Sequence, residues 1–284
     1  MDRDVNPNAA PTSDFTVMGV VNVTPDSFSD AGRYFDPGAA VEHGLALEAD
    51  GATILDVGGE STRPGADPVE GDEESRRVVP VIEALVAAGV RAQISVDTMK
   101  AEVAERALAA GATLVNDVTA LRAAPELAEL TAAAGADLCL MHMQNPPNQP
   151  PSPPRYDDIV AEVKSFLEER MAFAVAHGVP EEKIILDPGF GGGSFGKDVA
   201  QNLELLRRLS ELVALGRPIL VGTSRKGFLG ELTGRPVNER VAATIATNVI
   251  AYGRGARMFR VHDVAPLYDA LMVTAAVESH GYER

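Results

Sequence analysis

Cysteine, tryptophan and aromatic residues are scarce in this sequence. Its 284 residues include one cysteine and no tryptophan, and aromatic side chains make up 5%. A single cysteine cannot form an intramolecular disulfide or a multi-cysteine metal site, so the sequence excludes both kinds of site. Cys139 lies within an apolar run, and we expect it to be a small buried core residue.

Basic residues are in deficit, and long hydrophobic runs are missing. The chain has 25 Lys and Arg against 41 Asp and Glu, which gives a formal net charge of −16. This charge argues against non-specific binding to nucleic acid or to an anionic membrane. No apolar run approaches the roughly 20 residues of a membrane span, and the N-terminus shows no secretion signal. We therefore expect a cytoplasmic protein in which an anionic ligand needs basic groups gathered locally.

Eight apolar runs alternate with helix-like segments, and almost every run ends in a polar or charged group. The groups at these ends are Asn22, Asp56, Asp97, Asn116, His142, Asp187 and residues 223–226 and 260–263. The alternation predicts an α/β protein with a (β/α)₈ TIM-barrel fold, whose C-terminal strand ends converge on the face that holds the active site. We predict one domain, residues 15–284, after a frayed polar tail at residues 1–14.

The helix-like segments alternate with the strands without a break. Amphipathic periodicity places them at about 38–50, 72–88, 100–110, 125–134, 157–177, 199–214, 237–253 and 264–279. A Rossmann or flavodoxin-like sheet is the competing fold, but it needs fewer units, and a Rossmann sheet requires a glycine-rich turn after the first strand. The Pro-rich stretch 145–154 predicts a stiff excursion of the fifth-strand loop; a PxxP ligand for a partner domain is the alternative.

Polar side chains at the ends of the third, fourth and sixth strands form the first candidate site. Asp97, Asn116 and Asp187 can point into one cavity there. Two carboxylates and a carboxamide suit the N–H-rich edge of a flat heterocycle such as a 2-amino-4-oxo-pyrimidine. The alternative is that each aspartate only caps the following helix.

Basic residues on the same rim suggest an anion site. Arg63, Lys226, Arg260 and His262 lie at rim positions of an otherwise acidic chain. Clustered cations of this kind suit a phosphate or pyrophosphate. Of the neighbours Arg225 and Lys226, we expect one to point inward and the other to pack outward.

Oxygen-bearing side chains near the first strand suggest a magnesium site. Asn22, with Asp26 and Asp56 nearby, offers oxygen ligands for Mg²⁺. This ion usually takes one or two protein ligands together with substrate phosphates and water. Loops rich in Ser and Thr around Thr24 and Thr62 are suited to close over a ligand.

Two loop segments carry a resemblance to a known family. Residues 22–30 (NVTPDSFSD) and 56–65 (DVGGESTRPG) resemble the two signature loops of the dihydropteroate synthase family. Later motifs of that family match in order: Ser95-Val96-Asp97-Thr98, Asn116-Asp117-Val118, Met141-His142-Met143, Asp187-Pro188-Gly189, Ser224-Arg225-Lys226 and Arg260-Val261-His262-Asp263. The similarity runs from about residue 17 to 278, and both loop signatures are specific.

The resemblance implies an activity and residue roles. It implies condensation of 6-hydroxymethyl-7,8-dihydropterin diphosphate with 4-aminobenzoate in folate synthesis, by a homodimer packed through its last helices. Carried over position by position, the pterin residues are Asp97, Asn116, Asp187 and Lys226. Asn22 is the implied Mg²⁺ ligand. Thr62, Arg63, Arg260 and His262 are the implied diphosphate and loop residues, and we expect catalysis from Arg63, Lys226, Arg260 and His262.

The loop after the sixth strand departs from the family pattern. Gly192-Gly193-Ser194 resembles a three-residue insertion before the aromatic residue that lines the aminobenzoate pocket in the family. We align that aromatic to Phe195, with Phe190 as the alternative. We expect an altered aminobenzoate pocket and changed sulfonamide sensitivity; a tolerated surface-loop insertion is the other interpretation.

Two other functions compete with an active synthase. A methyltetrahydrofolate methyltransferase shares a pterin-binding barrel, but it has no use for a diphosphate-binding loop at Thr62 and Arg63. A paralogue that binds pterin without turnover is compatible with the altered sixth-strand loop.

Overall fold

The protein is described from a computed structural model that covers residues 14–23, 37–60, 68–145, 153 and 155–279. Within these residues eight strands form one parallel sheet. They are β1 (Thr16–Asn22), β2 (Ile54–Gly58), β3 (Gln93–Asp97), β4 (Leu114–Asp117), β5 (Asp137–Met141), β6 (Ile184–Asp187), β7 (Leu220–Val221) and β8 (Met258–Val261). β1 pairs with both β2 and β8. A bridge between Leu186 and Ile219 joins β6 to the β7 side, so the predicted barrel is confirmed.

The helices surround this barrel and match the predicted segments with two exceptions. They are α1 (Pro37–Ala49), α2 (Gly71–Ala87), α3 (Ala101–Ala110), α4 (Leu127–Ala134), α5 (Ile159–Ala176), α6 (Val199–Arg207), α7 (Ser210–Val213), α8 (Gly227–Thr233), α9 (Val241–Gly253) and α10 (Val264–Ser279). The predicted segment 199–214 is divided between α6 and α7. The seven-residue α8 was not predicted, because two glycines in it weaken the helical signal.

Hydrophobic residues form two cores on the two faces of the sheet. The larger core lies between strands and helices and includes Leu55, Ile82, Leu138 and Phe259. The smaller core, which we call the barrel floor, fills the inside of the barrel with Met18, Ile54, Leu114, Cys139, Ile185, Leu220 and Met258. These side chains fill the middle of the barrel and separate its two ends, and the C-terminal end above them is the face on which barrels of this fold hold the active site. The prediction that Cys139 is a buried core residue is confirmed.

Several sequence predictions fall at the limits of the described residues. Residues 1–13 of the predicted tail lie outside them, while Asp14 accepts hydrogen bonds from Tyr252 Oη at 2.7 Å and Arg257 Nε at 2.8 Å. Most of the Pro-rich stretch, residues 146–152 and 154, also lies outside. Among the described helices none has both the length and the apolar character to span a membrane.

Candidate active site

Strand register gathers the predicted polar residues at the C-terminal mouth of the barrel. Asn22 pairs with Gly58, Gly58 with Asp97, and Asp97 with Asn116, so these four residues form one row across β1–β4. Asp187 ends β6 beside Met141 of β5. The helix-capping alternative does not apply to Asp97, because the N-cap residue of α3 is Lys100 and no side chain caps that helix.

Below this row, Asp56 and Arg260 form a polar layer on top of the barrel floor. The fully buried Asp56 carboxylate accepts hydrogen bonds from Ser95 Oγ at 2.6 Å, Asn116 Nδ2 at 3.1 Å and Arg260 Nε at 2.6 Å. Arg260 Nη2 also donates to Asp97 Oδ2 at 2.7 Å. Asp56 was predicted to offer Mg²⁺ an oxygen, and its position does not fit that role because three donors inside the barrel already engage the carboxylate.

The two carboxylates assigned to a heterocycle have raised pKa values. Burial raises the pKa of Asp97 to about 7, partly offset by Arg260 and reinforced by Asp56. Burial likewise raises the pKa of Asp187 to about 6, against the hydrogen bond that Gly189 N donates to Oδ1 at 2.7 Å. A ligand that donates N–H groups to these carboxylates would stabilise their ionised forms.

Lys226 lies over the ring of Phe195 at this mouth. Its Nζ is 3.9 Å from the ring centroid, within cation–π range. Burial, followed by repulsion from Arg260, lowers the Lys226 pKa to about 8, so the side chain is still largely cationic at neutral pH. Phe195 packs with Met141 and Met143, whereas Phe190 is 1% exposed and belongs to the larger core. Of the two aromatic candidates, the structure places Phe195 at the site.

The neighbouring Arg225 points away from Lys226, as one of the pair was predicted to do. Its guanidinium donates to the two carboxylate oxygens of Asp263 at 2.9 and 2.5 Å. Its backbone has a left-handed φ of 56°, an unusual conformation for a side-chain-bearing residue. The Arg225 N–H donates to Thr244 Oγ1 at 3.0 Å, which helps to hold this turn.

His262 was predicted among the rim cations, and in this environment it is uncharged at neutral pH. Burial, with repulsion from Arg260 and Arg225, lowers its pKa to about 4. The backbone N–H of His262 donates to Ser224 Oγ at 3.2 Å, and the ring nitrogen Nδ1 of His262 lies 2.9 Å from the same oxygen. Because the Ser224 hydroxyl can then donate to Nδ1, we assign the imidazole proton to Nε2. A diphosphate at this position would favour the protonated ring, since a nearby negative charge raises its pKa.

The residues that flank the second signature loop form a buried ion cluster that the sequence did not reveal. Thr62 and Arg63 lie outside the described residues. Just before them, Glu60 pairs with Lys100, which also pairs with the buried Glu74. Glu60 Oε1 accepts from Val69 N at 3.4 Å on the far side of the loop. Lys100 therefore connects the root of this loop to the end of β3, next to Asp97.

The loop after β6 has two internal anchors. Lys197 Nζ lies 2.8 Å from Gly189 O, 3.1 Å from Phe195 O and 2.9 Å from His142 Nδ1. Asn202 Oδ1 accepts from Gly191 N at 2.8 Å. Nothing in the sequence signalled these anchors, because a lysine between a glycine-rich loop and the N-cap of α6 is ordinarily expected to be exposed.

Asn22 can supply one oxygen to a metal ion. Its side chain is half-buried at the end of β1, beside a glycine in the register. Within the described residues no three His, Cys, Asp or Glu side chains are grouped to hold an ion. One amide oxygen suits Mg²⁺ where substrate phosphates and water complete the coordination.

Comparison with known proteins shows extensive similarity. The profile of the pterin-binding enzymes matches residues 18–262. The dihydropteroate synthase of Escherichia coli strain K12 is 45% identical over 263 residues, covering 93% of this chain and 92% of that protein. The Xanthomonas albilineans dihydropteroate synthase solved with 4-aminobenzoic acid aligns with TM-score 0.86 and 50% identity over 94% of each chain. The Yersinia pestis enzyme, solved in a sulfonamide drug complex, aligns with TM-score 0.85 and 42% identity over 94% of this chain and 95% of that one.

Proposed function

This chain belongs to the dihydropteroate synthase family of pterin-binding enzymes, and from that membership we propose that its barrel-mouth carboxylates hold the pterin. The enzyme is a transferase of folate biosynthesis. It condenses 6-hydroxymethyl-7,8-dihydropterin diphosphate with 4-aminobenzoate to give 7,8-dihydropteroate and diphosphate. Relatives that match over most of the chain are synthases, which disfavours the methyltransferase alternative.

The observation that carries the site assignment is the convergence of four side chains at the mouth. Asp97, Asn116, Asp187 and Lys226 lie above the polar layer of Asp56 and Arg260, and Asp97 and Asp187 each interact electrostatically with Lys226. In the proposed complex the two carboxylates accept N–H donors of the pterin, and Lys226 donates to a ring acceptor. Phe195, beneath Lys226, forms a wall of the aminobenzoate pocket.

Cations on the rim would bind the diphosphate. In the proposal Arg63 and Thr62 approach it from the second loop, with Arg260 and His262 on the β8 side. Burial alone would lower the pKa of Arg260, but Asp56 and Asp97 raise it above its usual value, so this guanidinium keeps its charge through the reaction. Asn22 would hold Mg²⁺, which neutralises the leaving diphosphate when it is bound.

The residues then stabilise charge as the bonds change. The C–O bond to diphosphate breaks, and its electron pair leaves with the phosphate oxygens beside Arg63, Arg260 and His262. Positive charge spreads from the methylene into the dihydropterin ring, where the ionised Asp97 and Asp187 favour it. The aniline nitrogen of 4-aminobenzoate forms the new C–N bond. Its proton becomes acidic on alkylation and passes to diphosphate or water, so a strong general base is not required.

Assembly as a homodimer is part of the proposal. Ile250 on α9 and Val273 and Val277 on α10 are 45%, 66% and 63% exposed. Apolar side chains exposed on adjacent helices suit a twofold contact with a second copy. Sedimentation at micromolar concentration should give the mass of a dimer, and Val273→Glu should shift it to the monomer; a wild-type monomer would contradict this proposal.

Two experiments test the function and the site. Diphosphate release, measured with and without 4-aminobenzoate, should depend on both substrates; release without aminobenzoate dependence would overturn the activity. By calorimetry, Asp97→Ala and Asp187→Ala should abolish pterin binding, because each leaves ligand N–H donors without a partner in a closed pocket, at a cost of about 1–3 kcal/mol or more. Asp137→Ala, at the opposite end of the barrel, is the matched control, and equal binding by all three variants would refute the site.

A further inference from the structure

Lys197 is a buried lysine whose hydrogen-bond partners in the described structure are uncharged. The residue is 2% exposed, and burial lowers its pKa to about 7. Its Nζ contacts two backbone carbonyls and one histidine nitrogen rather than a carboxylate. Asp187 attracts the ammonium electrostatically, but no carboxylate among the described residues hydrogen-bonds to Nζ. Because an ammonium group is costly to bury without a directly bonded counter-charge, simple packing does not account for a lysine at this position.

The three contacts of Lys197 persist in both of its protonation states. As an ammonium, Nζ donates to Gly189 O, Phe195 O and His142 Nδ1. As an amine, it donates to the two carbonyls and accepts from a protonated Nδ1. The connection between the two carbonyls therefore does not depend on which nitrogen holds the proton.

The two carbonyls lie at the two ends of the glycine-rich segment. Between Gly189 and Phe195 the chain has three consecutive glycines, residues 191–193, and glycine loses more conformational freedom on ordering than any other residue. Asn202 holds Gly191 from below, whereas Gly192 and Gly193 are exposed. The contacts of Lys197 thus tie the two ends of the segment together, and the inserted Gly192 and Gly193 lie exposed between these ends.

The position of the Phe195 ring depends on this closure. The ring packs under Lys226 Nζ and beside Met141 and Met143, so its placement requires the backbone of residue 195 to stay fixed. Gly196 continues with a left-handed φ of 71°, and a Cβ there would lie 2.3 Å from Gln144 Cβ. The backbone between Phe195 and Lys197 is therefore confined to one conformation by the contact of Gly196 with Gln144.

We propose that Lys197 is a positioning residue that ties Gly189 to Phe195 and so holds the Phe195 ring in the wall of the 4-aminobenzoate pocket across the inserted glycines. The inference rests on the proposed placement of aminobenzoate beside Phe195. It follows that the insertion leaves this wall in place while Lys197 is present, whereas the sequence led us to expect an altered aminobenzoate pocket.

The first test separates the two substrates. Lys197→Met keeps the length of the side chain and removes its hydrogen bonds. We expect KM for 4-aminobenzoate to rise about tenfold, as loss of charged hydrogen bonds would give, with KM for the pterin diphosphate changed less than about twofold. Lys183→Met, which alters a lysine at the opposite end of the barrel, is the matched control. If Lys197→Met does not fold, Lys197→Gln, which keeps one donor group, should show a smaller rise of the same selectivity.

The second test asks whether Lys197 acts by restricting the glycines. Gly192 has an ordinary φ of −95°, and a Cβ there would meet its nearest atom at 3.5 Å, so Gly192→Ala fits without strain. An alanine restricts the loop and should lower the aminobenzoate KM of Lys197→Met about two- to fivefold, the range expected for such a glycine replacement. In the wild-type protein, where Lys197 already fixes the segment, Gly192→Ala should change the aminobenzoate KM less than about twofold.

The outcomes distinguish this proposal from the assignment of Phe195. If Phe195→Ala raises the aminobenzoate KM and Lys197→Met does not, the positioning role is overturned and the pocket stands. If neither variant changes that KM, Phe195 is not a pocket wall and both proposals fail. In the remaining outcome, Lys197→Met raises the KM of both substrates equally, with no rescue by Gly192→Ala. That result would show a general structural role for Lys197 and would overturn the positioning role.

Discussion

The guanidinium of Arg260 donates to the carboxylate of Asp97 at 2.7 Å. The sequence assigned these two residues to different parts of the substrate, one to diphosphate and the other to pterin. In the structure they are directly bonded, and Asp56 joins them from below through Arg260 Nε. If Arg260 binds diphosphate and Asp97 binds pterin, as proposed, a change in charge at one substrate position is transmitted to the other through a single side chain.

This arrangement predicts that Arg260 stabilises the fold, in addition to its proposed role in binding diphosphate. In Arg260→Met, the fully buried Asp56 and the largely buried Asp97 lose their cation, and we expect the free energy of unfolding to fall by about 3 kcal/mol or more. Arg225→Met is the matched control, because it breaks a more exposed pair with Asp263 and should cost about 1 kcal/mol or less. Urea unfolding of both variants measures the difference, and equal losses would contradict the central role of Arg260.

Pterin affinity should be highest between about pH 7 and 8. Below that range Asp97, with a pKa of about 7, and then Asp187, with a pKa of about 6, become protonated and lose the capacity to accept ligand N–H groups. Above it Lys226, with a pKa of about 8, loses its charge. Calorimetry at several pH values should show weaker binding on both sides. At about pH 6.5, binding should release protons, because ligand N–H donors favour the ionised carboxylates; a flat profile from pH 5.5 to 9 would refute these roles.

The same carboxylates should make the unliganded protein less stable as pH rises. Their pKa values lie above the ordinary 3.8, so between about pH 4 and 7 the native protein binds more protons than the unfolded chain. The contribution of these two groups to the free energy of unfolding therefore falls as pH increases through that range. Urea unfolding of Asp187→Asn, which cannot titrate there, should show a shallower pH dependence than wild type.

The sequence predicted the barrel, and it predicted that the candidate site residues lie at one mouth, because the polar residues at the ends of strands can be recognised from the sequence alone. Asp97, Asn116 and Asp187 each follow an apolar run, and parallel strands bring such positions to one mouth. The bonds of Asp56 to Ser95 and Arg260 were not predictable in this way, because they depend on strand register, which decides which side chains share a layer. Helix α8 was missed because it has only seven residues, and two of them are glycines that weaken the helical signal.

Lys197 illustrates a different limit of sequence interpretation. Lysine is ordinarily exposed, and nothing beside it in the sequence signals a buried partner. Its hydrogen-bond partners are two backbone carbonyls and His142, which follows β5 and lies 55 positions away in the sequence. Backbone acceptors carry no sequence signature, so only the folded path of the loop reveals this contact.

Turnover should require Mg²⁺ through Asn22. Asn22→Ala removes one oxygen ligand, and since the substrate diphosphate and water supply the others, we expect a higher Mg²⁺ requirement rather than complete loss of activity. Mg²⁺ titrations of the variant and wild type measure this, with the exposed Asn238→Ala as control. Full activity of the wild type in excess EDTA would rule out the metal site.

Deletion of Gly192-Gly193-Ser194 should affect sulfonamides more than 4-aminobenzoate. Sulfonamides imitate the substrate ring but carry a bulkier substituent, so they depend on the pocket beyond the outline of the substrate. Phe195 is fixed by Lys197, whereas Gly192 and Gly193 are exposed beyond it. We therefore propose that the insertion reduces the sulfonamide affinity of the wild-type protein.

The deletion should lower the sulfonamide inhibition constant by about fivefold, equivalent to about 1 kcal/mol, while the aminobenzoate KM changes less than about twofold. Gly192→Ala, which keeps the length of the loop, is the control. If the deletion variant and the parent have the same KM and the same inhibition constant, the inserted residues do not influence the pocket.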